Sequence, residues 1–319
     1  MVNMSNCTII MEFFLMGFSS IRELQVLHAI LFSLIYIAAL MGNLLTIAAI
    51  VTDPHLHSPM YFFLSNLSLL DLGCISVTLP KFIVNSLTGH QSISLHGCAA
   101  QIFFFIFFAA TEFALLVAMS YDRFVAICHP LHYGVTMTPL RCLCGAGGSW
   151  VSGLFYSTVH TGNMFRLPFS GSNVFHQFFC DVPHVLKVSS SEVRDTEYIL
   201  LAMSSTLLVV CFVFLIISYT YIFSTVFRMP SVEGCYKALS TCLPQLIILF
   251  LFLLAGMVTV LGPISDTSPN LLISMTYTIL PPFMNPIIYS LRNTKIKVAL
   301  CRIMKTFFFP GRKCPSLKN

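Results

Sequence analysis

Long apolar runs interrupted by short polar connections dominate the 319-residue chain. Runs of about 20 residues have the length that crosses a bilayer as a helix. Seven are read at Leu27–Val51, Pro59–Leu79, Cys98–Met119, Cys142–Met164, Ile199–Val226, Ala238–Leu261 and Leu271–Leu291. The fourth is the weakest, because Gly145, Gly147, Gly148 and Gly153 dilute its hydropathy. Small residues are common where membrane helices pack closely. The runs are continuous and do not alternate apolar with polar, which excludes a transmembrane β-barrel. The expected fold is an all-α membrane protein, a seven-transmembrane helix bundle. After the last span, 292–305 reads as a short amphipathic helix. Ile296, Ala299, Leu300, Ile303 and Met304 share one face, and Lys295, Lys297, Arg302 and Lys305 are placed to reach headgroups. The expected organisation is an N-terminal segment over 1–26, the bundle over 27–291 and a tail over 292–319.

Composition sharpens this picture. Hydrophobic residues make up 56% of the chain and charged residues only 9%, against about 25% charged in soluble domains. A soluble globular protein and a disordered chain are both excluded. The net charge of +5 is modest, which disfavours nucleic-acid binding. Twelve of the 17 Lys and Arg residues fall in the connections after spans 1, 3 and 5 and in the tail. The positive-inside rule then puts the C-terminus in the cytoplasm and the N-terminus outside. Asn3 and Asn6 begin N-glycosylation sequons that fit this orientation. No basic leader with a cleavage site precedes the first span, so that span reads as an uncleaved signal anchor. The one long connection, about 165–198, holds Cys180, and Cys98 opens the third span. A bond between them would pin this loop over the mouth of the bundle, on the side where disulfides persist.

Two acids lie where charge is costly: Asp71 in the second span and Glu112 in the third. An ionised side chain at the bilayer centre costs roughly 2.5–3.5 kcal/mol on the gentlest scale. Two carboxylates at similar depth repel unless a cation or a proton neutralises one. One reading is a polar cavity for Na⁺ or a shared proton, with Asn43 and Asn285 as neutral ligands. The other is a protonated pair used only for packing. Gln101, Phe105, Phe108, Ala109 and Glu112 share a face of the third span, either core or the wall of an apolar pocket. Asp122-Arg123 ends that span, either as an anchoring ion pair or as a switch.

Five motifs, in order, carry a family resemblance. Met119-Ser-Tyr-Asp-Arg-Phe-Val-Ala-Ile-Cys-His-Pro-Leu-His-Tyr133 resembles the third-helix signature of vertebrate olfactory receptors, a branch of the rhodopsin-like G-protein-coupled receptors. Leu56-His-Ser-Pro-Met-Tyr-Phe-Phe-Leu-Ser-Asn-Leu-Ser-Leu-Leu-Asp71, Lys237-Ala-Leu-Ser-Thr-Cys242, Pro282-Phe-Met-Asn-Pro-Ile-Ile-Tyr-Ser-Leu-Arg-Asn293 and Gly42-Asn43 are similar to its motifs in helices 2, 6, 7 and 1.

The resemblance implies a receptor, not an enzyme. It implies small hydrophobic volatile ligands, a heterotrimeric stimulatory G protein that raises cyclic AMP, and a place in the plasma membrane among lipids. No cofactor is implied beyond a structural Na⁺ at Asp71 and Glu112, in a polar core with Asn43 and Asn285. Phe105, Ile106, Ala109, Met203, Ser204, Leu207, Gly256, Met257, Val260 and Thr278 are its implied ligand contacts. Asp122, Arg123, Tyr219, Pro286 and Tyr289 are its implied activation switch, and Cys98–Cys180 its lid disulfide. The chain departs from the pattern at Phe124 for Tyr, at Ser170 and Ser190 for a second cysteine pair, at Pro244-Gln245 for Ser-His, and at Phe252-Leu253-Leu254 for Phe-Tyr-Gly.

Other classes fit less well. A transporter would show repeated halves, and none is evident. No metal-ligand cluster or nucleophile–base pair marks an enzyme. The seventh span has no Lys for a retinal Schiff base, and Phe105 is not the acid an amine receptor would place there. A receptor of the same branch for an endogenous metabolite outside the nose stays open.

Overall fold

The computed structural model describes residues 11–19, 21–169, 172–175, 177–228, 231–261 and 268–308, and the side chains of 237, 240, 241, 244, 251–261, 268–274, 276, 277, 290–292 and 304–308 are not among those described. Seven helices of 25 residues or more form a bundle among the described residues. They are α1 (Arg22–Thr52), α2 (Pro59–Thr88), α3 (Leu95–Cys128), α5 (Pro139–Met164), α7 (Ser191–Phe227), α8 (Val232–Leu261) and α9 (Ser268–Arg292). Shorter helices intervene: α4 (Tyr133–Thr136) after α3, and α6 (Val182–Val188) before α7. The chain ends its described part with α10 (Thr294–Phe308). Each expected span corresponds to one long helix. Among the described residues α1, α2, α3 and α7 are individually long and apolar enough to cross a membrane.

The helices run further than the apolar runs. The second continues past Pro80 to Thr88 and stops at Gly89, whose φ of 76° is the left-handed conformation of a helix C-cap. Arg22 then donates to the carbonyl of Ser86 (2.7 Å), tying the start of α1 to the end of α2. The fifth span begins eight residues earlier than its hydropathy suggests. Ser190 caps it by accepting from the Val193 amide. Ser190, a departure from the resembled pattern, is therefore a helix cap in this chain.

Glycine sets how close α5 lies to its neighbour. A Cβ at Gly153 would fall 2.0 Å from the Thr111 hydroxyl and 3.0 Å from the Phe107 carbonyl of α3. One turn away, the Ser157 hydroxyl donates to the Phe103 carbonyl (2.5 Å). Of the glycines that dilute this span, Gly153 is the one that lets it pack. Gly153→Leu forces these two helices apart, and overpacking of this kind costs about 1–3 kcal/mol. Surface staining of the variant is expected to fall severalfold, with Gly147→Leu, whose position has open space, as the unaffected control.

A small sheet closes one end of the bundle, which we call the lid end. β1 (Glu12–Leu15) pairs antiparallel with β2 (Ser92–Ser94) and parallel with β3 (Val174–Phe175). Alternation puts Phe13 and Leu15 inward and Glu12 and Phe14 outward. Phe13 stacks on Phe175 with ring centroids 4.6 Å apart. At the opposite end, α10 lays Ile296, Val298 and Ala299 against the bundle. Arg302, expected at the headgroups, donates instead to Asp53 after α1 (3.0 Å). Partial burial raises the Asp53 carboxyl, but hydrogen bonds from His55 and the Arg302 charge outweigh it and hold it below its ordinary pKa.

Candidate functional site: a lid, a polar core and an arginine switch

The lid is held covalently and by amide chemistry. Cys98 of α3 is bonded to Cys180, with Cα atoms 5.5 Å apart. One turn along α3, the Gln101 side chain accepts from the Cys180 amide (2.8 Å) and donates to the Val77 carbonyl of α2 (2.9 Å). Gln101 thus fastens the lid rather than facing a ligand. Below it the rings of Phe105 and Phe179 approach to 5.7 Å, so the lid touches the inner face of α3. Ile106 packs against the lid cluster. Phe108, on the same expected face, turns toward α2. Its ring would lie 2.4 Å from a Cβ at Gly73, so it is helix–helix packing.

The other expected ligand contacts divide. Ala109 and Ser204 are half-buried, and Thr278 in α9 is buried. Met203 and Leu207 are 68% and 66% exposed on α7. That helix is apolar on every side, so hydropathy gives no inner face. The face is set by Glu197, Ser204, Leu215 and Tyr219, which turn toward the bundle. The side chains of Gly256, Met257 and Val260 lie outside the described residues, as do Asn3 and Asn6.

Glu197 and His160 escape a hydropathy reading. Glu197 falls in a polar stretch that resembles loop, yet it is buried in the first turns of α7. Its carboxylate pairs with His160 of α5 and accepts from Asn163 (2.8 Å). Tyr156 covers the imidazole, with ring centroids 4.2 Å apart. An apolar residue at Glu197 strands two buried donors, at about 1–3 kcal/mol each. Glu197→Leu alone is expected to reduce surface expression strongly. Replacing both partners, Glu197→Leu with His160→Leu, is expected to recover much of it, because a matched apolar pair leaves less unsatisfied. A double variant no better than the single would show that the pair does not couple these helices.

Midway through the bundle the two acids meet one amide. The Asn285 side chain of α9 donates to both oxygens of Asp71 (3.0 Å each) and lies 3.5 Å from Glu112. Asp71, Glu112, Asn43 and Asn285 are all buried. Asn43 stands beside this group without joining it. Its amide donates to the Ala39 carbonyl (3.0 Å) and the Pro282 carbonyl (2.9 Å). The Pro282 carbonyl is available because residue 286, its partner in a regular helix, is proline and has no N–H. α1 can reach it because Gly42 lies close to the Pro286 ring. The Asn285 and Asn43 side-chain oxygens are buried with no hydrogen-bond partner among the described residues.

Toward the opposite end, the Arg123 guanidinium pairs with Asp122 through its Nε (3.0 Å) and a terminal nitrogen. The second Asp122 oxygen accepts from the Tyr133 hydroxyl of α4 (2.8 Å). Burial, then the Asp122 charge, raise this phenol above its ordinary pKa, so it stays a donor. Tyr133 closes the motif quoted above, but only the turn through Pro130–His132 brings it back to Asp122. Tyr219 and Tyr289 are buried in the same core cluster. Gln245 of α8, a departure from the family pattern, donates to the Leu116 carbonyl of α3 (2.9 Å). The Pro244 side chain lies outside the described residues.

Seven helices, a lid bonded to α3, a central carboxylate–amide cluster and an Asp–Arg pair at the far end define a protein of the rhodopsin-like receptor fold. Squid rhodopsin superposes with a TM-score of 0.68 at 16% identity, covering 93% of this chain and 89% of that one. The family model for olfactory receptors matches residues 32–306. Olfactory receptor 14I1 of Homo sapiens is 56% identical over 96% of this chain and 99% of its own length. Olfactory receptor 14A16 of Homo sapiens is 50% identical over 95% and 98%. The chain belongs to the olfactory receptor family. It is a multi-pass membrane receptor and not an enzyme.

Proposed function

We propose that this protein binds small, mostly hydrophobic volatile molecules beneath its lid and activates a stimulatory, olfactory-type G protein to raise cyclic AMP. In this reading the lid end and the glycosylated N-terminus are extracellular, and the tail with α10 is cytoplasmic. The observation that carries it is the route along α3. The helix bonds to the lid at Cys98, presents Phe105 and Ala109 below it, carries Glu112 in the polar core and ends at the Asp122–Arg123 pair. Ligand contacts are Phe105, Ile106, Ala109, Ser204 and Thr278 together with Gly256, Met257 and Val260.

Signalling is a population shift. A ligand favours the active state only by binding it more tightly than the resting one. In the resting state Asp122, oriented by Tyr133, holds Arg123 in place. Activation frees Arg123 toward the G protein, while Asn285, Pro286 and Tyr289 let α9 adjust and Tyr219 of α7 meets them. Asp71, Glu112 and Asn285 would hold a Na⁺, which would supply the positive charge that two buried carboxylates need.

The test is a cyclic AMP assay in cells that co-express the olfactory stimulatory G protein. Volatile molecules are applied as a panel and an N-terminal tag reports surface expression. A ligand-dependent rise supports the reading. Normal surface expression with no response to volatiles, and a response to a non-volatile metabolite, would move the ligand class and leave the switch intact.

A further inference from the structure

At the end opposite the lid, α2, α3, α4 and α5 line a cleft of about 290 Å³, which contains none of the polar-core residues. Phe63, Ala118, Tyr121, Met137 and Gly145 line it, and Arg141 stands at its edge. The cleft exists because residue 145 has no side chain. A Cβ there would rest 3.8 Å from the Phe63 ring, so a longer side chain would fill the floor. The flank is a lipid-facing one, since Leu140 and Leu143 on either side of Arg141 are 70% and 60% exposed.

Arg141 sits in the first turn of α5, where the helix dipole adds positive charge. One of its terminal nitrogens donates to the carbonyls of Val135 and Thr136 (3.2 and 3.3 Å). Those bonds fix the guanidinium against the α4 turn. Among the described residues no carboxylate pairs with it. A guanidinium without an acid, anchored at the mouth of an apolar slot in the membrane surface, matches a phosphate headed by water and tailed by hydrocarbon. The volume is below that of a typical drug pocket and suits one segment of a chain.

We propose that this cleft binds one acyl chain of an anionic glycerophospholipid, with its net-negative headgroup on Arg141. The supply of such lipid rests on reading this end as cytoplasmic, where anionic lipids concentrate. The binding itself does not depend on odorant or G protein, so its failure and the failure of that reading are separable.

The experiment is native mass spectrometry of the full-length receptor in detergent. It is titrated with phosphatidylserine or phosphatidylcholine of matched acyl chains, with and without inorganic phosphate. Phosphatidylserine is expected to be retained about fivefold over phosphatidylcholine, as one cation near the surface allows. Arg141→Gln should bring that ratio to about one, and Arg141→Lys should keep most of it. Gly145→Leu should reduce retention of both lipids by filling the floor. Two results would overturn the proposal: a preference unchanged in Arg141→Gln, or lipid retention unchanged in Gly145→Leu. Displacement by millimolar inorganic phosphate would also overturn it, since the site would then be one for a free anion. If Arg141→Gln fails to fold, the wild type, Arg141→Lys and Gly145→Leu still decide between these outcomes.

Discussion

Arg123→Ala is expected to abolish ligand-driven cyclic AMP while the receptor still reaches the surface. The guanidinium bonds to Asp122, its neighbour in sequence, so its removal breaks no contact between long helices that holds the bundle. Tyr133 remains as a donor to the stranded carboxylate. The complementary change is Asp122→Asn, which weakens the hold on Arg123 and keeps an acceptor for Tyr133. A hydrogen bond to a charged group contributes about 1.5–3 kcal/mol, so its loss moves a two-state equilibrium by about tenfold or more. Basal cyclic AMP in Asp122→Asn is accordingly expected to rise severalfold. Dose–response curves normalised to surface staining read both variants. Signalling retained in Arg123→Ala at normal expression would remove Arg123 from the switch.

The second large effect lies at the lid. Cys98→Ser is expected to eliminate surface expression at 37 °C. The bond closes a loop of 82 residues, and restricting a loop of that size in the unfolded chain contributes about 4.5 kcal/mol. That is a large share of the roughly 5–15 kcal/mol that keeps a domain folded. Cys180→Ser and the double replacement should match it, since each removes the same bond. Expression retained in the double replacement but not in a single one would point to a free thiol that mispairs. Gln101 offers a graded version, because Gln101→Leu keeps the disulfide and strands the Cys180 amide. Its expected cost is about 1–3 kcal/mol, visible as a lower melting temperature of the purified receptor.

The sequence carries the seven spans because a bilayer imposes one demand, some 20 apolar residues, and the runs approach it, the glycine-diluted fourth least closely. It carries the acids for the same reason: Asp71 and Glu112 stand out against apolar surroundings. What it conceals has identifiable causes. The first turns of α7 are rich in charge and read as loop, so Glu197 is missed although it is buried. α2 passes Pro80 because a proline removes one hydrogen bond but does not end a helix with neighbours on both sides. Met203 and Leu207 could not be oriented on a helix that is apolar all round. The strands are two to four residues long, too short for any periodicity to show. Tyr133 was visible only as a letter in a motif until the turn after α3 brought it to Asp122. Among the site residues, charged and paired ones such as Asp71, Glu112 and Asp122-Arg123 were the most legible, and apolar ones on an all-apolar helix the least.

The sheet at the lid has a consequence for biosynthesis. β1 is made first, but its partners are β2, after the second span, and β3, after the fourth. The carbonyl of Glu12 meets the amide of Asn173, 161 positions away. Contacts that distant are slow to form, because the chain between them must be ordered first. The N-terminal strand is therefore seated late in synthesis, and until then its hydrogen-bonding edge and the Phe13 ring are uncovered. A ribosome stalled before the end of the fourth span would leave a chain that shows this edge, which gives the quality-control machinery of the endoplasmic reticulum a way to tell an incomplete receptor from a finished one.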